Sequence, residues 1–119
     1  MYEIEFYEDK DGYSDIVQYI KEVKQKSLNS KEERIDLNKI VAYFDVLSEK
    51  GTRIGEPVTK HLEGEIWELR PLRHRFLYAY YKDRKFLILH HFIKQTRKTP
   101  ARELKLALKR LKEYRERNL

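Results

Sequence analysis

Apolar and polar residues alternate over Tyr2–Tyr7 (YEIEFY), which predicts a strand with Glu3 and Glu5 on one side. Asp11-Gly12 breaks that pattern. From Tyr13 to Lys26 the apolar residues Ile16, Val17, Tyr19, Ile20 and Val23 recur at helical spacing. A second helix is expected to open at Ser30, because Ser30-Lys31-Glu32-Glu33 fits a capping box in which hydroxyl and carboxylate satisfy opposite orphan N–H groups. Ile35, Leu37, Ile40, Val41, Phe44 and Leu47 carry its apolar stripe. Gly51 is its expected stop, since a residue without Cβ takes the left-handed conformation cheaply. The two helices predict an antiparallel hairpin, followed by a loop over Gly51–Thr59. Three strands are then expected at Glu65–Leu72, Arg75–Lys82 and Phe86–Lys94. Their short connections make an antiparallel meander. Thr99, as cap, and Pro100, at the first helical position, are expected to open a last helix striped by Leu104, Ala107, Leu108, Leu111 and Tyr114. The order β-α-α-β-β-β-α predicts one α+β domain over residues 1–119, an antiparallel sheet with its helices on one face and the other face open.

Period-two alternation decides which side chains share that open face. Trp67 and Leu69 fall with the core, so Glu68 and Arg70 point the other way together. Arg75, Leu77 and Ala79 alternate with Phe76, Tyr78 and Tyr80, which places Arg75 on the open face. In the last strand His90, Phe92 and Lys94 share one side, and Leu87, Leu89, His91 and Ile93 share the other. The latter set is the expected core side and leaves His91 as a hydrogen-bonded core or edge residue. Arg70, Arg75 and Lys94 thus lie on adjacent strands of one sheet, with Arg73 in the turn between two of them. Like charges across strands repel, and a bound anion or a salt bridge offsets that repulsion. Glu68 fits the salt-bridge role, and a polyphosphate fits the ligand role through the forked donors of arginine. Phe92 and Tyr81 are candidates to stack on the bases of a single strand.

Charge sharpens this picture. The chain carries 26 Lys+Arg against 20 Asp+Glu, net +6. Residues 1–59 sum to −4, residues 60–98 to +6 and residues 99–119 to +4. An acidic helical part therefore precedes a strongly basic part, which points to a polyanion or an acidic partner for the latter. The absence of cysteine excludes a disulfide scaffold, a thiolate metal site and a cysteine nucleophile. No apolar run reaches the ~20 residues of a membrane span. Met1-Tyr2-Glu3-Ile4-Glu5 lacks the basic, then apolar, start of a signal peptide. A cytoplasmic protein is the expectation. No metal is expected either: His90 and His91 are adjacent and a strand sends them to opposite faces, and no His/Asp/Glu cluster has ligand spacing. The four glycines are scattered, so no glycine-rich phosphate loop is present.

The ordered combination of Ile66-Trp67-Glu68-Leu69-Arg70, His74-Arg75-Phe76-Leu77-Tyr78, His90-His91-Phe92-Ile93-Lys94 and Thr96-Arg97-Lys98-Thr99-Pro100, with Glu103 and Ala107, resembles the HigB-like branch of the RelE/ParE toxin superfamily, a branch with many phage-derived members. The similarity runs from Tyr2 to about Arg110. It implies a toxin of a toxin–antitoxin pair: an endoribonuclease that cuts messenger RNA on the ribosome, restrained by a helix-turn-helix antitoxin, with no cofactor. By position it implies that Lys60 contacts a phosphate, with His61 beside it. Arg70 and Lys94 occupy active-site positions and Arg75 holds the scissile phosphate. Arg73, Phe92 and Lys98 are the further substrate-binding candidates. The chain departs from the pattern at Lys94-Gln95, where relatives carry two lysines, and at Glu68, where another relative carries lysine. No tyrosine follows Lys94 until Tyr114.

A nuclease built from these residues would use the 2′-OH of its RNA as the nucleophile, since alignment and cations suffice for that reaction. Arg75, Arg70 and Lys60 would stabilise charge on the phosphate, Glu68 or His90 would assist proton transfer, and Lys94 would protonate the leaving oxygen. The rival expectations are a ParE-like toxin that acts on gyrase and a non-catalytic binding module of the same fold.

Overall fold

The computed structural model describes residues 1–119. The alternating stretch forms β1 (Glu3–Phe6), and the two amphipathic stretches form α1 (Asp15–Lys26) and α2 (Lys31–Lys50). They are followed by β2 (Thr59–Glu63), β3 (Ile66–Leu69), β4 (His74–Tyr80), β5 (Lys85–Ile93) and α3 (Ala101–Arg117). Ser14 Oγ accepts from the Val17 N–H and Ser30 Oγ from the Glu33 N–H, each at 3.2 Å, so both helices begin with a satisfied orphan donor. Gly51 ends α2 at φ +66°, and a Cβ there would stand 2.9 Å from the Tyr2 ring. Conformation and space both require glycine at that stop.

The strands lie in the order β1-β5-β4-β3-β2. The α+β class is the one expected, and the elements follow in the expected succession with one strand more. That strand, β2, pairs antiparallel with β3 and sets Lys60 opposite Glu68. Its sequence, TKHLE, has no apolar alternation and so no strand signal of its own; β3 supplies the ladder. The expected antiparallel sheet is mixed, because β1 runs parallel to β5, with Ile4 opposite Phe86. Two helices and three strands separate β1 from β5 in the chain, so no hairpin constrains their pairing as it does that of β3, β4 and β5.

The helices do not share one face, and here the expectation is corrected. Phe44 of α2 packs on Phe76 and Phe6, with ring centroids 5.0 and 5.6 Å apart. Tyr19 of α1 stacks on His91 at 4.0 Å, and His91 sits opposite Phe76 in the ladder. The next row, Glu68–Leu77–His90, points the other way and meets the opposite layer. Glu68 accepts from Thr99, just before α3, and His90 pairs with Glu103 of α3. The cause lies in β4, which is buried from His74 through Ala79 on both sides. A strand without a polar face needs cover on each side. The α1–α2 hairpin covers Phe76 and Tyr78, while α3, with Ala107 and Leu111 buried, covers the side of Leu77 and Ala79.

One further detail departs from strict alternation. Leu77 pairs with His90 but Tyr78 pairs with Ile88, so Leu89 is an extra residue in β5. This bulge moves Leu87 to the side of His90, opposite Ala79, rather than leaving it with His91.

Under α1 and α2, His74 Nε2 lies 3.0 Å from Asp36 Oδ2, and His74 Nδ1 lies 3.1 Å from His91 Nε2. The core role expected for His91 is the one it has. Burial, with His74 and His90 adding, pushes its pKa down from 6.5 to about 3, against a small opposing pull from Asp15. His91 is therefore neutral in the folded protein where it titrates in the unfolded chain. Its contribution to stability is complete above pH 6.5 and is lost as pH falls towards 3. Between pH 7 and pH 5 the loss amounts to about 2 kcal/mol. Urea denaturation at the two pH values should show that extra decline in the wild type and not in His91→Gln; equal declines in both would refute it.

Candidate active site

The face that carries α3 is not covered to its end. Glu68 on β3, Arg70 just after it, Arg75 on β4 and Lys60 on β2 all project to this side, because each falls on the same phase of the alternation. A cleft of about 450 Å3 lies there. Lys60, His61 and Glu63 border it from β2, Glu68 and Arg70 from β3, and Lys94, Arg97, Lys98 and Thr99 from the segment that leaves β5. Five cations thus surround two carboxylates.

Glu68 is the centre of the arrangement and is 2% exposed. Its Oε2 accepts from Thr99 Oγ1 at 2.7 Å, and its Oε1 lies 3.6 Å from Arg70 Nε and 3.7 Å from Arg75 Nε. Its backbone is held from the other side of the sheet. Tyr78 O–H donates to Thr59 Oγ1, at 2.7 Å, which leaves the Thr59 hydroxyl to donate to the Glu68 carbonyl at 2.8 Å. Burial raises the Tyr78 hydroxyl to about 12, so it stays a donor.

Arg75 is 8% exposed. Its Nη1 donates to the carbonyls of Leu72, at 2.7 Å, and of His74, at 2.8 Å. Neither Arg75 Nε nor Arg70 Nε, both buried, has a hydrogen-bond partner. Burial lowers the Arg75 pKa, Glu68 opposes that shift and Arg70 adds to it; a guanidinium stays charged throughout. Lys94 is lowered by burial first and then by the Arg75, Arg70 and Lys60 cations. The direction favours an ammonium that gives up its proton more readily than an ordinary lysine.

The structure therefore brings Lys60, His61, Glu68, Arg70, Lys94 and Lys98 to one cleft; Arg75 lies outside the lining, with its Nε 3.7 Å from Glu68 Oε1. It does not bring three other candidates there. Arg73 is half exposed and its Nη2 lies 3.6 Å from Asp36, on the α2 side. His90 is held by Glu103 Oε1 at 2.9 Å under α3, with Nδ1 buried and unpartnered. Phe92 stacks on the His90 ring at 5.8 Å and lies opposite Arg75, outside the cleft lining. His61 borders the cleft, yet its ring packs edge-on to Trp67, and its Nε2 is 2.7 Å from the Gly64 carbonyl.

Two residues escaped the sequence pattern. Arg97 lines the cleft from a loop where no periodicity orients side chains. Thr99 does not cap α3: Pro100 is the cap residue, the helix starts at Ala101, and no side chain caps it. The Thr99 hydroxyl bonds Glu68 instead, which ties the segment after β5 to the cleft floor. Both choices suit Thr-Pro, and only the approach of Glu68 decides between them.

Residues 26–112 match the family described as phage derived protein Gp49-like (DUF891). Among solved structures, a chain of the YoeB-YefM complex from Staphylococcus aureus is similar at 17% identity and TM-score 0.49, over 80% of this chain and 99% of its own. No curated protein matches the sequence. No helix is long and apolar enough to cross a membrane. The family match spans both strands of the cleft floor, the cationic loop and most of α3, and on it the chain belongs to the phage-derived Gp49-like family, a RelE/HigB-like toxin family.

Proposed function

We propose that this protein is the toxin of a toxin–antitoxin pair and acts as an endoribonuclease on messenger RNA bound to the ribosome. The observation that carries the proposal is the cleft itself, where Lys60, Arg70, Lys94, Arg97 and Lys98 surround the buried Glu68, whose Oε1 lies 3.7 Å from Arg75 Nε. Forked and point cations at one phosphate favour in-line displacement by stabilising charge as it develops. The nucleophile is the 2′-OH beside the scissile phosphate. Glu68 accepts its proton, Arg75 and Arg70 hold the phosphate, and Lys94 protonates the departing 5′-oxygen. Attack by the 2′-oxygen breaks the P–O5′ bond, and the products are a 2′,3′-cyclic phosphate and a 5′-hydroxyl. No residue of the cleft has to coordinate a metal in this scheme. A helix-turn-helix antitoxin restrains the activity.

The direct test is a pair of RNA oligonucleotides that differ only by a 2′-deoxy substitution at the mapped cut, incubated with the protein and ribosomes. The all-ribose RNA should be cut to a cyclic phosphate and the substituted one left intact; equal cleavage of both would overturn the mechanism. If neither is cut and growth arrest coincides with loss of supercoiling, the protein is a gyrase-directed toxin instead.

Salt provides a second check. Three to five phosphate contacts to single-stranded RNA give a log–log slope of affinity against salt of roughly −2 to −3.5. Lys98→Ala should make the slope shallower by roughly 0.7, measured by fluorescence anisotropy with a labelled RNA. An unchanged slope would remove Lys98 from the contact set.

A further inference from the structure

A carboxylate on the opposite side of the sheet bears on the cleft. Asp36, on α2, is 6% exposed, and its Oδ2 lies 3.0 Å from Nε2 of the fully buried His74 and 3.6 Å from Nη2 of Arg73. An ionised carboxylate only accepts, so His74 turns Nε2–H towards it. His74 Nδ1 lies 3.1 Å from His91 Nε2 and 3.4 Å from the Tyr19 hydroxyl. Both residues that meet Asp36 belong to the turn Pro71–His74, which joins β3 to β4. The same turn supplies the two carbonyls, Leu72 and His74, that hold Arg75 Nη1. It also supplies the Arg73 carbonyl that accepts from the Lys94 N–H at 2.8 Å. Within it Leu72 sits at φ +56°, a conformation that a leucine keeps only when its surroundings enforce it. The His74 N–H bond to the Pro71 carbonyl closes the turn, at 3.0 Å, but nothing in that bond fixes the turn against the rest of the fold. The Asp36 contacts do.

We propose that Asp36, through His74 and Arg73, is a positioning residue that holds the Pro71–His74 turn and thereby sets the Arg75 guanidinium and the Lys94 backbone at the cleft on the other side of the sheet. This rests on the cleft being an anion site, as argued above, but not on RNA being cut. The device couples the helical hairpin to the cleft. A partner that shifts α2 would loosen Arg75 without entering the cleft.

The test uses the full-length protein, with Arg side chains labelled with nitrogen-15. Two quantities are read in the wild type, Asp36→Ala and Asp36→Asn: solvent exchange of the Arg75 side-chain N–H protons, and binding of inorganic pyrophosphate. In Asp36→Ala the Arg75 protons should exchange faster and pyrophosphate should bind about tenfold more weakly, the size of one lost charge-assisted hydrogen bond. In Asp36→Asn, which can still accept from His74 but carries no charge for Arg73, both changes should be intermediate. Backbone exchange in β4 and β5 should be unaltered, which separates positioning from loss of fold. If Asp36→Ala does not fold, Asp36→Asn decides with the same readouts. Wild-type exchange and wild-type affinity in the folded variant would overturn the proposal. Faster Arg75 exchange in a protein that never binds pyrophosphate would uphold the positioning and overturn the anion-site reading instead.

Discussion

Arg75→Ala is expected to lower kcat for RNA cleavage by on the order of 10²–10³-fold, the usual cost of removing one preorganised donor from a developing oxyanion. The geometry explains why the loss should be large. Nη1 is fully occupied by the Leu72 and His74 carbonyls, which fixes the plane of the guanidinium. The Nε–H has no partner and lies 3.7 Å from Glu68, too far for a hydrogen bond. The guanidinium is thereby held in one orientation before a phosphate arrives. Arg75→Lys should not rescue the activity, because an ammonium cannot both occupy the two carbonyls and present a second donor in plane. Lys112→Ala, on the exposed side of α3, is the control and should leave growth arrest intact. Induction of each variant in a bacterial host, with primer extension to map the cuts, provides the readout. Cuts of equal strength at the same sites in Arg75→Ala would remove Arg75 from the reaction.

Glu68→Gln separates two roles that the sequence left joined, salt-bridge partner and proton acceptor. As an acceptor, its loss should cost roughly 10²–10⁴-fold in kcat. The removed charge lies between two arginines in a cationic cleft, so RNA should bind more tightly as turnover falls, and KM should drop with kcat. The Thr99 bond survives in the amide, which keeps the loop in place. A change confined to KM, with kcat within a few-fold of the wild type, would reduce Glu68 to an ion-pair partner. His90, the other candidate for proton transfer, is held at 2.9 Å by Glu103 under α3. His90→Gln should therefore affect stability more than kcat, read by urea denaturation beside the same cleavage assay.

Much of the fold was legible because it is local. The cap at Ser30, the stop at Gly51 and the apolar stripes of α1, α2 and α3 depend on residues within a turn or two of one another. The grouping of Glu68, Arg70 and Arg75 on one face followed from period-two alternation alone, which a regular strand cannot evade. Strand β2 was not legible, because a ladder formed with β3 does not require an apolar pattern in Thr59–Glu63. The bulge at Leu89 was not either, since an extra residue leaves no mark in composition.

The sequence by itself determined every strand and helix but β2, and which cations share a side of the meander, since both are set by short-range sterics and alternation. Only the tertiary structure decided the partners. It placed β1 parallel to β5 and sent α3 to the second face, because a strand as apolar as β4 needs cover on both sides. It drew His90 to Glu103 and Arg73 to Asp36, away from the cleft, and gave the Thr99 hydroxyl to Glu68 rather than to a helix end. Each of these is a choice between two chemically equivalent bonds, and such a choice is made by which carboxylate the packed chain brings within reach.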